Sequence, residues 1–204
     1  MHRIDIFTGG LTQTNGYVIH GPQGPVLIDA PEAVAKWLLR ERIAPVAVLL
    51  THQHFDHVID AAALQAGGGK LHAFAPYATA LTLEDAAREW GLPISIEPFT
   101  IDEVLAGRTT LEVGGLSFRL AHVPGHSPDS LVYHLPEDEL VFCGDTVFAG
   151  SIGRTDLPGH GDHRLLLQGI DRDLLSLPDA TRLYPGHGPS TRVGIERVSN
   201  PFLT

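Results

Sequence analysis

The stretch Thr51-His52-Gln53-His54-Phe55-Asp56-His57 places four side chains of metal-ligand type within six positions, directly after an apolar run. Residues two apart on an extended chain point to the same side, so His52 and His54 can bind one metal ion. A turn or helix start after them directs Asp56 and His57 towards a second ion. Imidazole and carboxylate groups suit zinc, iron or manganese. Because α/β proteins place ligand sites at strand ends, we interpret the stretch as a metal-binding loop rather than an ordinary polar loop.

Three further motifs place a His or an Asp behind a glycine at the end of a predicted strand. They are Pro124-Gly125-His126-Ser127-Pro128, Phe142-Cys143-Gly144-Asp145-Thr146 and Tyr184-Pro185-Gly186-His187-Gly188. Each motif alone is weak evidence, because a loop His is usually solvated and an Asp at a strand end is often a turn former. Four strand ends that deliver ligand-type residues in the same manner indicate one shared metal site.

The order of predicted elements indicates a layered α/β protein with mixed sheets. Apolar or alternating runs bounded by Gly and Pro predict strands, and apolar residues at helical spacing predict helices. In the first helix, Val34, Leu38 and Leu39 are predicted to face the core. The predicted strands are 3–8, 15–20, 25–29, 46–50, 71–75, 109–113, 116–123, 131–135, 140–143 and 181–184. The predicted helices are 31–42, 57–65, 82–90, 163–177 and 193–198.

Length and charge restrict the class of protein. The 204 residues fit a single domain, 1–204, with a substantial core. The formal net charge of −10 repels phosphate backbones, so we expect no nucleic-acid partner. Cys143 is the one cysteine, which excludes an intrachain disulfide, and we expect it to be a small buried residue. Without a signal peptide or a run of about 20 apolar residues, we expect a cytoplasmic monomer or small homo-oligomer with no membrane partner.

The order H-x-H-x-D-H, G-H, G-D and G-H-G resembles the metallo-β-lactamase superfamily. More narrowly, Gly150-Ser151-Ile152-Gly153-Arg154-Thr155-Asp156 and the ending Asn200-Pro201-Phe202 resemble its short glyoxalase II-like members, which are similar to hydroxyacylglutathione hydrolases. The resemblance covers nearly the whole chain. It implies a four-layer αβ/βα sandwich with two facing mixed β-sheets and a metal site at their shared edge.

The resemblance also implies two divalent metal ions, with zinc as the expected metal and iron or manganese as alternatives. The implied ligands are His52, His54 and His126 for metal one, Asp56, His57 and His187 for metal two, and Asp145 as the bridge between them. Asp56 and Asp145 are the implied catalytic carboxylates, and a metal-bound hydroxide is the implied nucleophile. Asp29 is the implied acceptor that orients a ligand histidine through its other ring nitrogen. Arg154 is either a substrate contact or an anchor of its loop.

Some residues depart from the family pattern or stay open. Asp60 and Asp129 stand where relatives commonly have glycine. Because Asp129 lies three residues after His126, we expect it to add negative charge at the mouth of the site and to disfavour an anionic substrate. His160 and His163 resemble a metal-binding run, but we interpret them as loop and helix-start residues near the mouth.

These residues predict a metal-dependent hydrolase. Two cations about 3.5–4 Å apart lower the pKa of a shared water from about 15.7 towards about 7. A thioester is a natural target because thiolate is a good leaving group, and the resemblance points to S-(2-hydroxyacyl)glutathione as a small-molecule substrate. The acyl group and the thiol carrier stay open. A zinc β-lactamase fits less well, since it would usually be exported and would carry a cysteine ligand.

The alternative is an oxidoreductase, a persulfide dioxygenase that acts on glutathione persulfide with one Fe(II). Relatives of that kind resemble this chain in the same motifs. They use the positions matching His52, His126 and Asp145, an arrangement of two His and one carboxylate that suits iron and oxygen. Metal identity and metal count distinguish the two hypotheses.

Overall fold

The computed structural model describes residues 1–203 of the chain, which contain fourteen strands and seven α-helices. The first six strands are β1 Ile4–Gly9, β2 Thr14–Gly21, β3 Gly24–Ile28, β4 Ala47–Leu49, β5 Lys70–Ala73 and β6 Glu103–Val104. They form one sheet in sequence order. Pairing is antiparallel from β1 to β3 and parallel from β3 to β6.

A second six-stranded sheet is built from the later part of the chain. Its strands are β7 Thr110–Val113, β8 Leu116–His122, β9 Leu131–Leu135, β10 Leu140–Gly144, β13 Arg182–Pro185 and β14 Thr191–Arg192. The order is β14-β13-β10-β9-β8-β7, with β10 and β13 parallel and the other neighbours antiparallel. A small hairpin of β11 Val147–Phe148 and β12 Ser151–Ile152 stands apart from it.

Helices cover the outer face of each sheet. Those that connect the strands of the first sheet are α1 Val34–Glu41, α2 Phe55–Val58, α3 Ala61–Ala66, α4 Thr79–Thr82 and α5 Glu84–Glu89. The other two are α6 His163–Asp173, which connects the hairpin to β13, and α7 Val193–Ser199, which follows β14. Among residues 1–203 no helix is both long and apolar enough to cross a membrane.

Side chains alternate between two apolar layers because successive strand residues point to opposite faces. In β4, Leu49 packs between the two sheets, whereas Val48 packs under α1 and α3. The second sheet repeats this, with Phe142 in the layer between the sheets and Val141 in the layer under α6. Burying such a side chain contributes about 1.5–3 kcal/mol. The expectation of a four-layer αβ/βα sandwich with two facing mixed sheets is confirmed.

Several helix predictions differ from the structure, and the helix predicted at 163–177 ends at Asp173. Leu39 is 78% exposed, because α1 buries only the narrow stripe of Val34 and Leu38 that lies four residues apart. The segment predicted as one helix at 57–65 is two short helices, α2 and α3. The segment predicted at 82–90 is also divided, because Leu83 has a left-handed backbone (φ 57°) between α4 and α5.

The two sheets meet at the edge where β4, β8, β10 and β13 end. A β-bridge between Thr14 and His187 joins them, and the amide of Asn15 donates to the carbonyl of Gly186 at 2.7 Å. The amide of Leu131 donates to the carbonyl of Thr51, also at 2.7 Å. The loops that follow these four strands carry the predicted ligands, so the fold delivers them to one place.

Candidate metal centre

All seven predicted ligands lie together at this edge. Their donor atoms form three overlapping groups within which every atom lies within 4.8 Å of the others. The groups are His52, His54 and His126; His52, His57 and Asp145; and Asp56, His57 and His187. The first and third groups coincide with the two predicted triads. Their role as ligands stays a prediction, but the spatial requirement for it is met.

The carboxylate of Asp145 reaches both triads. Its Oδ1 lies 3.4 Å from Nε2 of His57, and its Oδ2 lies 3.5 Å from Nε2 of His126 and 3.3 Å from Nε2 of His187. Ligand atoms at about 2.1 Å from a tetrahedral ion are separated by about 3.4 Å. The observed spacing is compatible with ligands around metal ions, and the role of Asp145 as a bridge stays a prediction.

Several buried polar atoms that face the centre have no hydrogen-bond partner in the structure. They include Nε2 of His52, His57 and His126 and Oδ1 of Asp145. Buried polar atoms nearly always have a partner, and an unpaired one costs about 1–3 kcal/mol. Divalent cations would satisfy these atoms together, so the residues fit the two metal ions that the sequence predicts.

The other ring nitrogen, Nδ1, of four of these histidines is held by an oxygen acceptor. The pairs are His57 with Asp29 Oδ2 at 2.9 Å, His126 with the Arg154 carbonyl at 2.9 Å, His187 with the Thr12 carbonyl at 3.1 Å and His52 with Thr51 Oγ1 at 3.1 Å. A carboxylate or carbonyl oxygen only accepts, and the Thr51 hydroxyl gives its own proton to Asp29, so in each pair the proton is on Nδ1. In the neutral ring, Nε2 then keeps the lone pair that a metal ligand needs.

Asp29 lies where the sequence places it, behind the metal-binding loop. Its carboxylate accepts from the amide of Thr51 at 2.7 Å and from the Thr51 hydroxyl at 2.8 Å, besides His57. Thr51 in turn meets the ring of His52, so one buried carboxylate positions two ligands. Sequence reasoning missed Thr51 and also Thr14, whose hydroxyl donates to Asp56 Oδ2 at 2.8 Å.

The protonation pattern of the centre reflects its buried carboxylates. Burial opposes ionisation of Asp56 and Asp145, yet the neighbouring His57 and His187 outweigh it and hold the pKa of both carboxyl groups below the ordinary value. Burial also opposes protonation of His187, but hydrogen bonds to Asp145 and Asp56 raise its pKa to about 10. The pKa of His57 is raised as well. In the metal-free centre, protons on His57 and His187 thus balance the charge of the carboxylates, and bound divalent cations would take over this role.

The opposite holds for the histidines of metal one. Burial lowers the pKa of His52 and His54 well below the ordinary value, and it lowers the pKa of His126 as well. Neutral imidazole is the form that binds metal ions. These three side chains are therefore in the binding form at neutral pH.

Two glycines give the ligands the room they need. A Cβ on Gly186 would overlap Oδ1 of Asp145 and lie 2.6 Å from Cε1 of His57. Gly144 has a left-handed backbone (φ 50°), and a Cβ there would lie 2.5 Å from the hydroxyl of Thr51. The glycines before Asp145 and His187 are thus steric requirements of the centre.

Comparison with known proteins agrees with this geometry. The family model of the metallo-β-lactamase superfamily matches residues 9–187. The chain belongs to this superfamily. It is 38% identical to the hydroxyacylglutathione hydrolase GloC of Haemophilus influenzae, over 76% of this chain and 74% of that protein.

Two solved structures are similar over nearly the full length. BLEG-1, described as a B3 metallo-β-lactamase, is 37% identical, with a TM-score of 0.88 over 99% of this chain and all of that one. TTHA1623, described in a di-iron-bound form, is 39% identical, with a TM-score of 0.83 over 98% of this chain and all of that one. The superfamily identity implies divalent metals at the His and Asp cluster, and these neighbours leave their element open.

The side chain of Arg154 contacts its own loop and a neighbouring aromatic ring. Its guanidinium forms two hydrogen bonds with Asp156, at 2.7 and 2.9 Å, and lies 5.8 Å from the ring centroid of Trp90. The carbonyl of the same residue orients His126. Of the two roles that the sequence leaves open, these contacts are those of an anchor, and substrate contact stays a prediction. Trp90 is 49% exposed at this contact.

The C-terminal motif of the glyoxalase II-like members supports the same loop. Glu196 accepts from the amide of Gly150 at 2.9 Å, and Asn200 donates to the carbonyl of Ser151 at 3.0 Å. Both side chains are buried. The C-terminal segment therefore holds Gly150 and Ser151, at the start of the loop whose carbonyl at Arg154 contacts His126.

Neither aspartate that replaces a common glycine lies at the mouth. Asp129 is 2% exposed, accepts from the hydroxyl of Ser127 at 2.6 Å and packs against Gln53. Burial raises its pKa to about 6. The expectation of a mouth charge there is wrong, because the loop turns this side chain inward. Asp60 instead accepts from the amide of Ala35 at 2.8 Å, at the start of α1.

Proposed function

We propose that this protein is a binuclear metal-dependent hydrolase that cleaves a thioester of the S-2-hydroxyacylglutathione type. The observation that carries the proposal is a complete set of seven ligand side chains in two triads, with the Asp145 carboxylate between them. Zinc is the expected metal, with iron or manganese as alternatives. The identity of 38% to a protein named hydroxyacylglutathione hydrolase supports the substrate class.

The chain's own residues bind and orient the two ions. When bound, two divalent cations supply a Lewis acid for the carbonyl oxygen and an acidified water at neutral pH. Asp56 and Asp145 carry the negative charge that offsets the cations, and the Thr14 hydroxyl keeps Asp56 Oδ2 in place. The acceptor behind each imidazole, such as Asp29 behind His57, keeps its lone pair directed to the centre.

The side on which the centre opens suggests how substrate reaches it. Side-chain exposure is 0% for His57 and 4% for His126, but 27% for His187. The ring of Phe148 lies 6.0 Å from that of His187. We therefore infer that the substrate approaches past His187 and Phe148, on the side of metal two.

The second candidate is a persulfide dioxygenase with one Fe(II) held by His52, His126 and Asp145. One observation favours it: Nε2 of His126 lies 3.5 Å from Asp145 Oδ2, and the rings of His52 and His126 are 5.1 Å apart. Two His and one carboxylate with open positions suit iron and oxygen. The di-iron form of a relative supports iron as a metal for this kind of centre.

The test combines metal analysis with three assays on protein purified without added metal. The assays are thiol release from S-lactoylglutathione, oxygen uptake with glutathione persulfide, and hydrolysis of a chromogenic β-lactam, because one similar structure is described as a β-lactamase. Two ions per chain with thiol release would support the first proposal. One iron per chain with oxygen uptake would overturn it in favour of the second, and β-lactam cleavage alone would overturn both.

A His57→Ala variant sharpens the distinction. His57 belongs to the metal-two triad and is absent from the one-iron set. A two-metal hydrolase should lose one ion per chain and fall to background activity, whereas a one-iron dioxygenase should keep its iron and its oxygen uptake. His163→Ala, a change to an exposed histidine outside the proposed ligand set, is the matched control and should keep the metal content of the wild type.

A further inference from the structure

His54 differs from the other histidines of the centre in the atom it has available. Its Nε2 lies 3.0 Å from Nδ1 of His160, in the loop before α6. The two rings lie 5.1 Å apart, and the two residues are 106 positions apart in the chain. His54 is 4% exposed, so its ring has no free access to water. Nδ1 is therefore the nitrogen that His54 has left for a metal ion.

We propose that His160 is a positioning residue that fixes the tautomer of His54, so that Nδ1 of His54 carries the lone pair for metal one. The far nitrogen of His160, Nε2, lies 2.8 Å from the carbonyl oxygen of Ala80. A carbonyl only accepts, so this nitrogen carries the proton of a neutral ring. Nδ1 of His160 is then an acceptor, and Nε2 of His54 donates to it.

The two ends of this chain of hydrogen bonds agree with each other. A metal ion on Nδ1 of His54 requires the proton on Nε2, and the Ala80 carbonyl requires the proton of His160 on its outer nitrogen. An imidazole thus does for His54 what the Asp29 carboxylate does for His57. Partners of this kind typically change metal affinity by about 10- to 100-fold when they are removed.

His160 is itself held in place by backbone contacts of its loop. The amides of His160 and Gly161 donate to the carbonyl of Leu157 at 3.2 and 3.1 Å, and a Cβ on Gly161 would overlap the carbonyl of Thr155. The amide of Asp162 donates to the carbonyl of Gly125, next to His126, at 2.9 Å. The Gly-His-Gly sequence is therefore a tight turn that presents one ring between α4 and the metal-binding loop.

The test compares three variants of the full chain by zinc titration against a chromophoric chelator. His160→Ala should weaken one of the two zinc sites about 10- to 100-fold and leave the other unchanged. His160→Asn should restore most of that affinity, because its Oδ1 can accept in place of Nδ1. His163→Ala, in the same segment but exposed, should match the wild type.

A second readout follows the tautomer directly. Long-range proton–nitrogen NMR spectra of the zinc-loaded protein should show the proton of His54 on Nε2 in the wild type and in His160→Asn. In His160→Ala, a smaller fraction of His54 should carry its proton on Nε2. Unchanged affinity for both ions in His160→Ala, or no recovery in His160→Asn, would overturn the proposal. The inference rests on the proposed metal centre but not on the substrate. If the wild type released no thiol from S-lactoylglutathione, that result would count against the proposed hydrolase function and not against the role of His160.

Discussion

Replacing Asp29 by Asn removes the acceptor behind one ligand without disturbing the backbone. Asp29 has a left-handed backbone (φ 60°), which Asn also tolerates. The amide oxygen of Asn can still accept from the Thr51 amide, which donates to Oδ1 of Asp29 at 2.7 Å. The amide nitrogen then faces Nδ1 of His57, which donates to Oδ2 at 2.9 Å. Because that nitrogen cannot accept, the proton of His57 is driven to Nε2, the atom that should bind metal two.

The magnitude follows from the lost bond. A hydrogen bond to a charged group contributes about 1.5–3 kcal/mol, which corresponds to about 10- to 150-fold in a dissociation constant. We expect Asp29→Asn to weaken the metal-two site by this factor and to leave metal one closer to the wild type. Zinc titration of the metal-free protein against a chromophoric chelator at pH 7.5 measures both sites.

The control is Asp138→Asn, which changes another buried carboxylate far from the centre. Asp138 has a 1% exposed side chain, accepts from His2 and precedes β10, at the opposite end of that strand from Asp145. It should bind zinc as the wild type does. If Asp29→Asn bound both ions with wild-type affinity, the argument that this carboxylate sets the tautomer of His57 would be refuted.

Three further predictions follow from buried groups of the site. Asp129→Asn should gain up to about 3 kcal/mol of stability relative to the wild type between pH 4 and pH 8, measured by urea unfolding. Burial raises the pKa of Asp129 from 3.8 to about 6, so the wild type loses stability as the pH rises from about 4 to about 6 and loses no more above that; a difference that does not change with pH would count against this. Gly186→Ala should abolish binding of metal two in the same chelator titration, since its Cβ would overlap Asp145 Oδ1, and wild-type affinity would contradict the packing. Zinc binding at pH 8 should release protons, because the pKa values of His57 and His187 are raised in the metal-free centre. Calorimetric titration with zinc in two buffers of different ionisation enthalpy measures this release. Equal heats of zinc binding in the two buffers would disprove it.

The ligands could be predicted from sequence because each is announced by a local pattern. A strand end followed by a His or Asp recurs four times, three times with a glycine directly before that residue, and the glycines have a steric reason, as Gly144 and Gly186 show. The layered fold follows from the same strands. Leu39 could not be assigned correctly, because the width of the buried stripe on α1 depends on what packs against it.

The partners of the ligands carry almost no sequence signal. The acceptors for His126 and His187 are backbone carbonyls, of Arg154 and Thr12, which any residue could supply. The contact between His54 and His160 joins segments that only the folded chain brings together. Asp129 was misplaced for a related reason, since its burial depends on long-range packing rather than on its own loop. The run around His160 was a visible signal, but its role required the structure.

The most direct test of the whole account is anomalous diffraction at the zinc edge from crystals grown with zinc. The account predicts two peaks about 3.5–4 Å apart, one within ligand distance of Nδ1 of His54 and the other within ligand distance of Nε2 of His187, with Asp145 contacting both. A single peak, or two peaks that leave either of these histidines outside ligand distance, would contradict it.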